Sequence, residues 1–181
     1  MAFKNDYEIR GNITAIFLKS EKYGDMETLI DTSDLPKAQS FPNTWHLWFR
    51  KSNNSFYVQG CIKVDGQRKT IQLHRWLVDA PPELEVDHIY HKTLDNRRSQ
   101  IRFTNRSQNA QNIRGATKKS KSGVRGVFWE ARDRRWRAVM TVNKKRTYVG
   151  SFNTKGEAEK AVKEARANMM PFSKEATLLK G

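Results

Sequence analysis

Apolar positions in the first part of the chain keep strand rhythm. Residues 13–18 (ITAIFL), 27–30, 45–49 and 56–64 are short runs rich in Ile, Val, Phe and Trp, the composition of half-buried or buried strands. Asn53-Asn54 and Asp65-Gly66 stand between such runs. Asn, Asp and Gly accept positive φ, so both pairs predict hairpin turns. Residues 73–78 (LHRWLV) predict a short buried helix, which Ala80-Pro81-Pro82 ends. Together these features define a β-rich N-terminal region over residues 1–82.

From residue 83 the pattern changes. Leu84-Glu85-Val86 is a brief apolar approach to Asp87-His88, a polar stretch runs on to Arg98, and Ile101 and Phe103 resume strand alternation. Residues 104–113 predict a helix with Thr104 as N-cap. The expectation for 83–113 is a strand–loop–strand–helix unit. Residues 114–121 (RGATKKSK) carry four basic side chains and no large apolar one, the composition of a basic linker.

Residues 122–172 predict a compact unit of three strands and one helix. Val124, Val127 and Trp129 open the first strand; Trp136, Ala138 and Met140 alternate in the second; residues 147–152 form the third, after a turn at Asn143-Lys144. Thr154 and Glu157 have capping-box spacing. The helix they start carries Ala158, Ala161, Val162 and Ala165 as a small-residue stripe and ends near Met169, before Pro171. The fold class is therefore α+β.

Charge narrows the function. The formal net charge is +15, from 34 Lys and Arg against 19 Asp and Glu. Residues 1–80 carry 11 basic and 9 acidic side chains, while residues 114–148 carry 12 basic and 2 acidic. Such an excess points to a polyanionic partner. No run of about 18 apolar residues suggests a membrane span. The opening MAFKNDYEIRGN lacks the apolar core of a signal peptide. Nucleic acid is thus the expected partner, in an intracellular and reducing compartment. Cys61 is the only cysteine, which excludes a Cys-based zinc site. A metal would be held mainly by oxygen ligands, which favours a hard ion such as Mg²⁺ or Mn²⁺. No small-molecule cofactor is expected, and the sequence does not set the oligomeric state.

The residues that carry chemistry sit in 83–113. Phosphodiester hydrolysis needs a base near neutral pH, which histidine supplies, and a positive centre for the developing charge. Adjacent Asp87 and His88 on a strand point to opposite sides. VDHIYHKTLDNRRSQIRFTNRSQNAQN, with LHRWLVDAP upstream, resembles the HNH nuclease motif, the ββα-metal fold of phage and intron-encoded homing endonucleases. The resemblance covers roughly residues 45–113, with Gln100 standing where relatives often have Asn. It implies His88 as general base, Asp87 as a metal ligand, Asn96 as the residue that pins the loop orienting His88, and Asn109 as second ligand to one divalent ion. Arg97 and Arg98 are expected on phosphate. His74 reads as a packed, hydrogen-bonded side chain, His91 as ambiguous and His46 as uninformative.

GVRGVFWEARDRRWRAVMTVNKKRTYVGSFNTKGEAEKAV resembles the Apetala/ethylene-response-factor type of DNA-binding domain, over about 50 residues. A twisted sheet can present Arg to base edges and phosphates in the major groove. The resemblance makes Arg125, Trp129, Arg137 and Arg146 the expected DNA contacts, on or near the exposed sheet face. The combined expectation is an HNH-type endonuclease with double-stranded DNA as partner, cutting one strand or both. The alternative is a non-catalytic sequence-specific DNA-binding protein that uses the HNH-like unit as scaffold.

Overall fold

A computed structural model describes residues 4–179. The chain divides into two compact units, Met1–Thr104 and Asn105–Gly181. The boundary falls inside the 83–113 stretch that the sequence pattern sets apart. The fold is mixed α and β, with four small antiparallel sheets and short helices. No helix among the described residues is long and apolar enough to cross a membrane.

In the first unit, β1 (Tyr7–Arg10), β2 (Ile13–Leu18) and β3 (Met26–Asp31) form a meander. A helix, α1 (Leu35–Gln39), follows. A second meander comprises β4 (His46–Arg50), β5 (Ser55–Val64) and β6 (Gln67–Gln72). Both expected turns form: Asn54, Asp65 and Gly66 all take positive φ. Helix α2 (Leu73–Leu77) closes this part. Ile16, Leu18, Ile30, Trp45, Val58, Leu73 and Leu77 make the core. Trp45 is anchored as well as buried: its indole N–H donates to the Ala38 carbonyl at 3.1 Å, and its ring stacks on Phe41. A side chain at Gly60 would collide with the Phe41 ring, so this position of β5 needs glycine.

The ribbon β7 (Glu85–His88) and β8 (Ile101–Thr104) completes the first unit, with Asp87 opposite Arg102 and His88 opposite Ile101. The loop between these strands is tied to β3 by backbone bonds. Leu29 N–H donates to Leu94 O at 2.9 Å, and Asn96 N–H donates to Leu29 O at 2.7 Å.

The expected helix over 104–113 is shorter than the pattern implied. Thr104 ends β8 rather than capping a helix. Asn105 is the N-cap instead: its side chain accepts from the Gln108 N–H at 2.9 Å, and Gln108 Oε1 accepts from the Asn105 N–H at 2.8 Å. The resulting helix, α3 (Arg106–Asn109), passes at once into a 3₁₀ turn over Ala110–Asn112. Asn and Ser side chains compete for backbone groups, which shortens a helix this rich in them.

In the second unit, β9 (Val127–Glu130), β10 (Arg135–Val142) and β11 (Lys145–Phe152) form a sheet in the order β11-β10-β9. Helix α4 (Lys155–Met169) packs its Ala158 and Val162 onto Val127, Ala138 and Met140. The capping box of Thr154 and Glu157 forms. Asn143 and Lys144 both take positive φ, as a two-residue hairpin turn requires. A further helix, α5 (Lys174–Leu178), was not expected. Buried Arg166 of α4 joins it by an ion pair to Glu175 at 2.7 Å, and also donates to the Arg125 carbonyl at 3.0 Å.

Gly126 precedes β9 with φ +80°, and a Cβ there would land on the Val139 carbonyl oxygen. Left-handed φ costs a non-glycine residue about 1–2 kcal/mol and overpacking about 1–3 kcal/mol. Gly126→Ala should therefore destabilise the second unit by about 3 kcal/mol, read as a lower denaturant midpoint with an unchanged slope. An unchanged midpoint would mean that the backbone here relaxes freely.

Candidate functional site

β7 delivers Asp87 and His88, both buried. Asp87 faces the cross-strand Arg102, whose Nε and Nη2 both donate to Oδ2, at 3.1 and 2.9 Å. The His88 imidazole lies against two other rings, His74 of α2 at 4.8 Å and Tyr57 of β5 at 6.0 Å between centroids, both edge-on.

A chain of hydrogen bonds gives the His88 ring its orientation. Its Nε2 is 2.9 Å from Asn96 Oδ1. Asn96 Nδ2 donates to Thr28 Oγ1 at 2.7 Å, and Thr28 Oγ1 donates to the Leu94 carbonyl at 2.8 Å. The end of the chain sets the sense of every link. A carbonyl can only accept, so the Thr28 hydroxyl is spent as a donor and must accept from the Asn96 amide. The Asn96 amide then turns its oxygen to His88, whose Nε2 must carry the proton. In a neutral imidazole the lone pair is left on Nδ1.

Burial keeps this imidazole neutral. His88 is held below the ordinary histidine value of 6.5, chiefly because the imidazolium would lose its hydration; the Asn96 bond and the carboxylates of Asp87 and Asp95 oppose this only in part. His74 lies well below the same value, through burial and the nearby His88 and Arg75. A neutral histidine with a set tautomer is the form in which histidine takes up a proton from water.

Asn96 is 1% exposed, so its role is internal to the protein. Arg97 donates to both oxygens of Asp95, at 2.8 and 2.6 Å. The Arg98 guanidinium spans both oxygens of buried Asp34 and reaches the Leu77 carbonyl, while its backbone N–H donates to Asp31 at 2.7 Å. Both arginines, expected on phosphate, thus brace the loop. His91 takes φ 61° and its N–H bonds the His88 carbonyl at 3.0 Å. His46 pairs with Gln59 on the second meander. Asn109 belongs to α3 in the second unit, where its N–H donates to Asn105 O at 2.9 Å.

Sequence reading missed Arg102, Thr28 and the apposition of His74 with His88. The antiparallel register of β7 and β8 could have found Arg102, once the strand ends were known. For Thr28 no local signal exists.

In the second unit, the outward face of the sheet carries Arg135, Arg137, Arg146 and Tyr148, by alternation from the inward Ala138 and Met140. The Arg146 guanidinium lies 5.8 Å from the Phe128 ring centre. Arg137 is engaged by Asp133 and Glu130. Two expected contacts sit elsewhere. Trp129 pairs directly with Trp136, which packs on the core, so it lies on the helix side of the sheet, 48% exposed at the margin. Arg125 precedes the sheet, half-buried, donating to the carbonyls of Ala110, Gln111 and Ile113. The end of a short helix offers unpaired carbonyls, and an arginine beside it can satisfy several of its donors there.

No family model matches this chain, and no curated protein or solved structure matches it either.

Proposed function

We propose that this chain is a metal-dependent DNA endonuclease of the HNH type, in which His88 is the general base. The observation that carries the reading is the buried Asp87-His88 pair, with His88 Nε2 against Asn96 Oδ1 and Asn96 bonded on to Thr28. His88 Nδ1 takes the proton from a water, and the hydroxide so formed attacks the phosphorus of a DNA phosphodiester as the bond to the leaving deoxyribose oxygen breaks and that oxygen takes a proton from solvent. The donor set suits a hard divalent ion, because Asp87 offers carboxylate oxygens and a chain with one cysteine cannot supply a cluster of thiolates. Bound at Asp87, Mg²⁺ or Mn²⁺ would offset charge on the phosphate and the leaving oxygen.

The test is incubation of the full chain with supercoiled plasmid, with Mg²⁺, with Mn²⁺ and with EDTA. Conversion to relaxed circles with either ion, and none in EDTA, is expected, because one active site per chain nicks one strand at a time. Absence of cutting with every divalent ion overturns the reading.

One observation favours the second reading, a non-catalytic DNA-binding protein. Arg102 already balances Asp87, as a purely structural ion pair would.

DNA affinity is assigned to the outward sheet face of the second unit. Arg135 and Arg146 carry exposed charges there, whereas the charge of Arg137 is balanced by two carboxylates. Each phosphate contact contributes about 0.9 to the log–log salt slope of binding. The double variant Arg135→Ala/Arg146→Ala should flatten that slope by about 1.8. Arg137→Ala should change it less. Titrations of duplex DNA from low to high salt read this directly, and an unchanged slope would move the binding face elsewhere.

A further inference from the structure

We infer that Thr28, on a strand far upstream of the nuclease-like motif, is a positioning residue that sets the tautomer of His88. The inference rests on the nuclease reading for its consequence but not for its geometry. Thr28 is fully buried on β3. Its hydroxyl donates and accepts through one and the same oxygen, so the fixed acceptor at Leu94 leaves it only the acceptor role toward Asn96. The Leu94 carbonyl is itself held, since it also accepts the Leu29 N–H at 2.9 Å. Asn96 has no such direction of its own. Its amide can present oxygen or nitrogen to His88 by a half-turn about its last torsion, at no cost in shape. With oxygen presented, the proton sits on Nε2 and Nδ1 is the base. With nitrogen presented, Nε2 must accept, the proton moves to Nδ1, and the base points into the protein.

The geometry gives the first meander a role beside the loop between β7 and β8. The parallel bridge of Leu29 with Asp95, and the backbone bonds beside it, place Thr28 under Asn96. These bonds hold the loop; the Thr28 side chain orders the proton.

The experiment compares the full-length parent with Thr28→Ser, Thr28→Val and Thr28→Ala. Thr28→Ser keeps the hydroxyl. Thr28→Val keeps the volume without it. Thr28→Ala removes the hydroxyl without placing a methyl against the Asn96 amide, and stands in if the valine variant folds poorly. The first readout is nitrogen NMR of the His88 ring at neutral pH, which distinguishes a protonated from a bare Nε2. The parent and Thr28→Ser are expected to show a single Nε2–H form. Thr28→Val and Thr28→Ala are expected to show a mixture of both tautomers. The second readout is plasmid nicking, with kcat about 10-fold lower in the variants lacking the hydroxyl, KM unchanged and Thr28→Ser near parental, since a wrongly protonated base is inactive until it re-forms. A merely structural role would lower stability in all three variants without moving the tautomer. If Thr28→Val and Thr28→Ala both retain the single Nε2–H form, the inference is overturned. If the tautomer mixes and even the parent does not nick DNA, the nuclease reading fails and Thr28 stands as the determinant of the His88 tautomer.

Discussion

His88→Ala is expected to slow plasmid cleavage by about 10²–10⁴-fold, the usual cost of losing a general base, and to leave the affinity for duplex DNA essentially at the parental value. The separation follows from where the groups lie. His88 is buried among His74, Tyr57 and Asn96, so it offers little surface to a duplex. The exposed basic face belongs to the second unit. Because alanine leaves a gap beside two rings, a folding control is needed, and His88→Asn supplies one with less lost volume. The parent carries a linked signature. The base must be neutral to act, and burial holds His88 below 6.5. Activity is therefore expected to be retained as pH falls through 6.5 and to be lost only further into the acid range. A variant that cuts as fast as the parent, or a parental acid limb above 6.5, would remove His88 from this role.

How much of this was legible in the sequence depends on whether the cause was local. The hairpin turns were legible because Asp65, Gly66 and Asn143 accept positive φ at little cost whatever surrounds them. So was the capping box of α4. Strands β1 and β6 were not. Tyr7–Arg10 is exposed throughout and alternates over only four residues, and Gln67–Gln72 is nearly all exposed and does not alternate. They are strands because β2 and β5 offer an edge to pair with.

The site divides in the same way. Asp87, His88 and Asn96 could be picked out because they are close in sequence. Arg98 could be picked out but not placed: a basic loop residue looks the same in sequence whether it meets a phosphate or, as here, the buried Asp34 carboxylate from another element. His74 was read as a packed side chain, and it is one; that it packs on His88 depends on how α2 lies against β7. Thr28 is an ordinary threonine in an apolar strand, and only the tertiary bond to Asn96 distinguishes it.

Asp87→Asn separates the two readings of the site, because the asparagine keeps the shape of the aspartate and loses its charge. If Asp87 holds the divalent ion, cleavage supported by Mg²⁺ falls by more than about 100-fold, since even partners one bond removed from a metal cost about 10–100-fold when lost. Binding of Mn²⁺, followed by electron paramagnetic resonance in the absence of DNA, weakens with it. If Asp87 serves only Arg102, neither quantity changes and the loss appears in stability instead. The pair sits where such a loss is measurable: the side chains are 9% and 19% exposed, and Arg102 makes two bonds to one oxygen. Removing one partner of a fully buried pair costs about 3–5 kcal/mol, and partial access of water to Arg102 lowers this to about 2 kcal/mol. A double-mutant cycle with Arg102→Met isolates that coupling from the metal. Both variants should share the stability term, while Asp87→Asn alone should carry the full loss of Mn²⁺ binding. A cycle in which Asp87→Asn loses stability but binds Mn²⁺ and cuts plasmid like the parent would leave a structural ion pair on a DNA-binding scaffold, and no metal at Asp87.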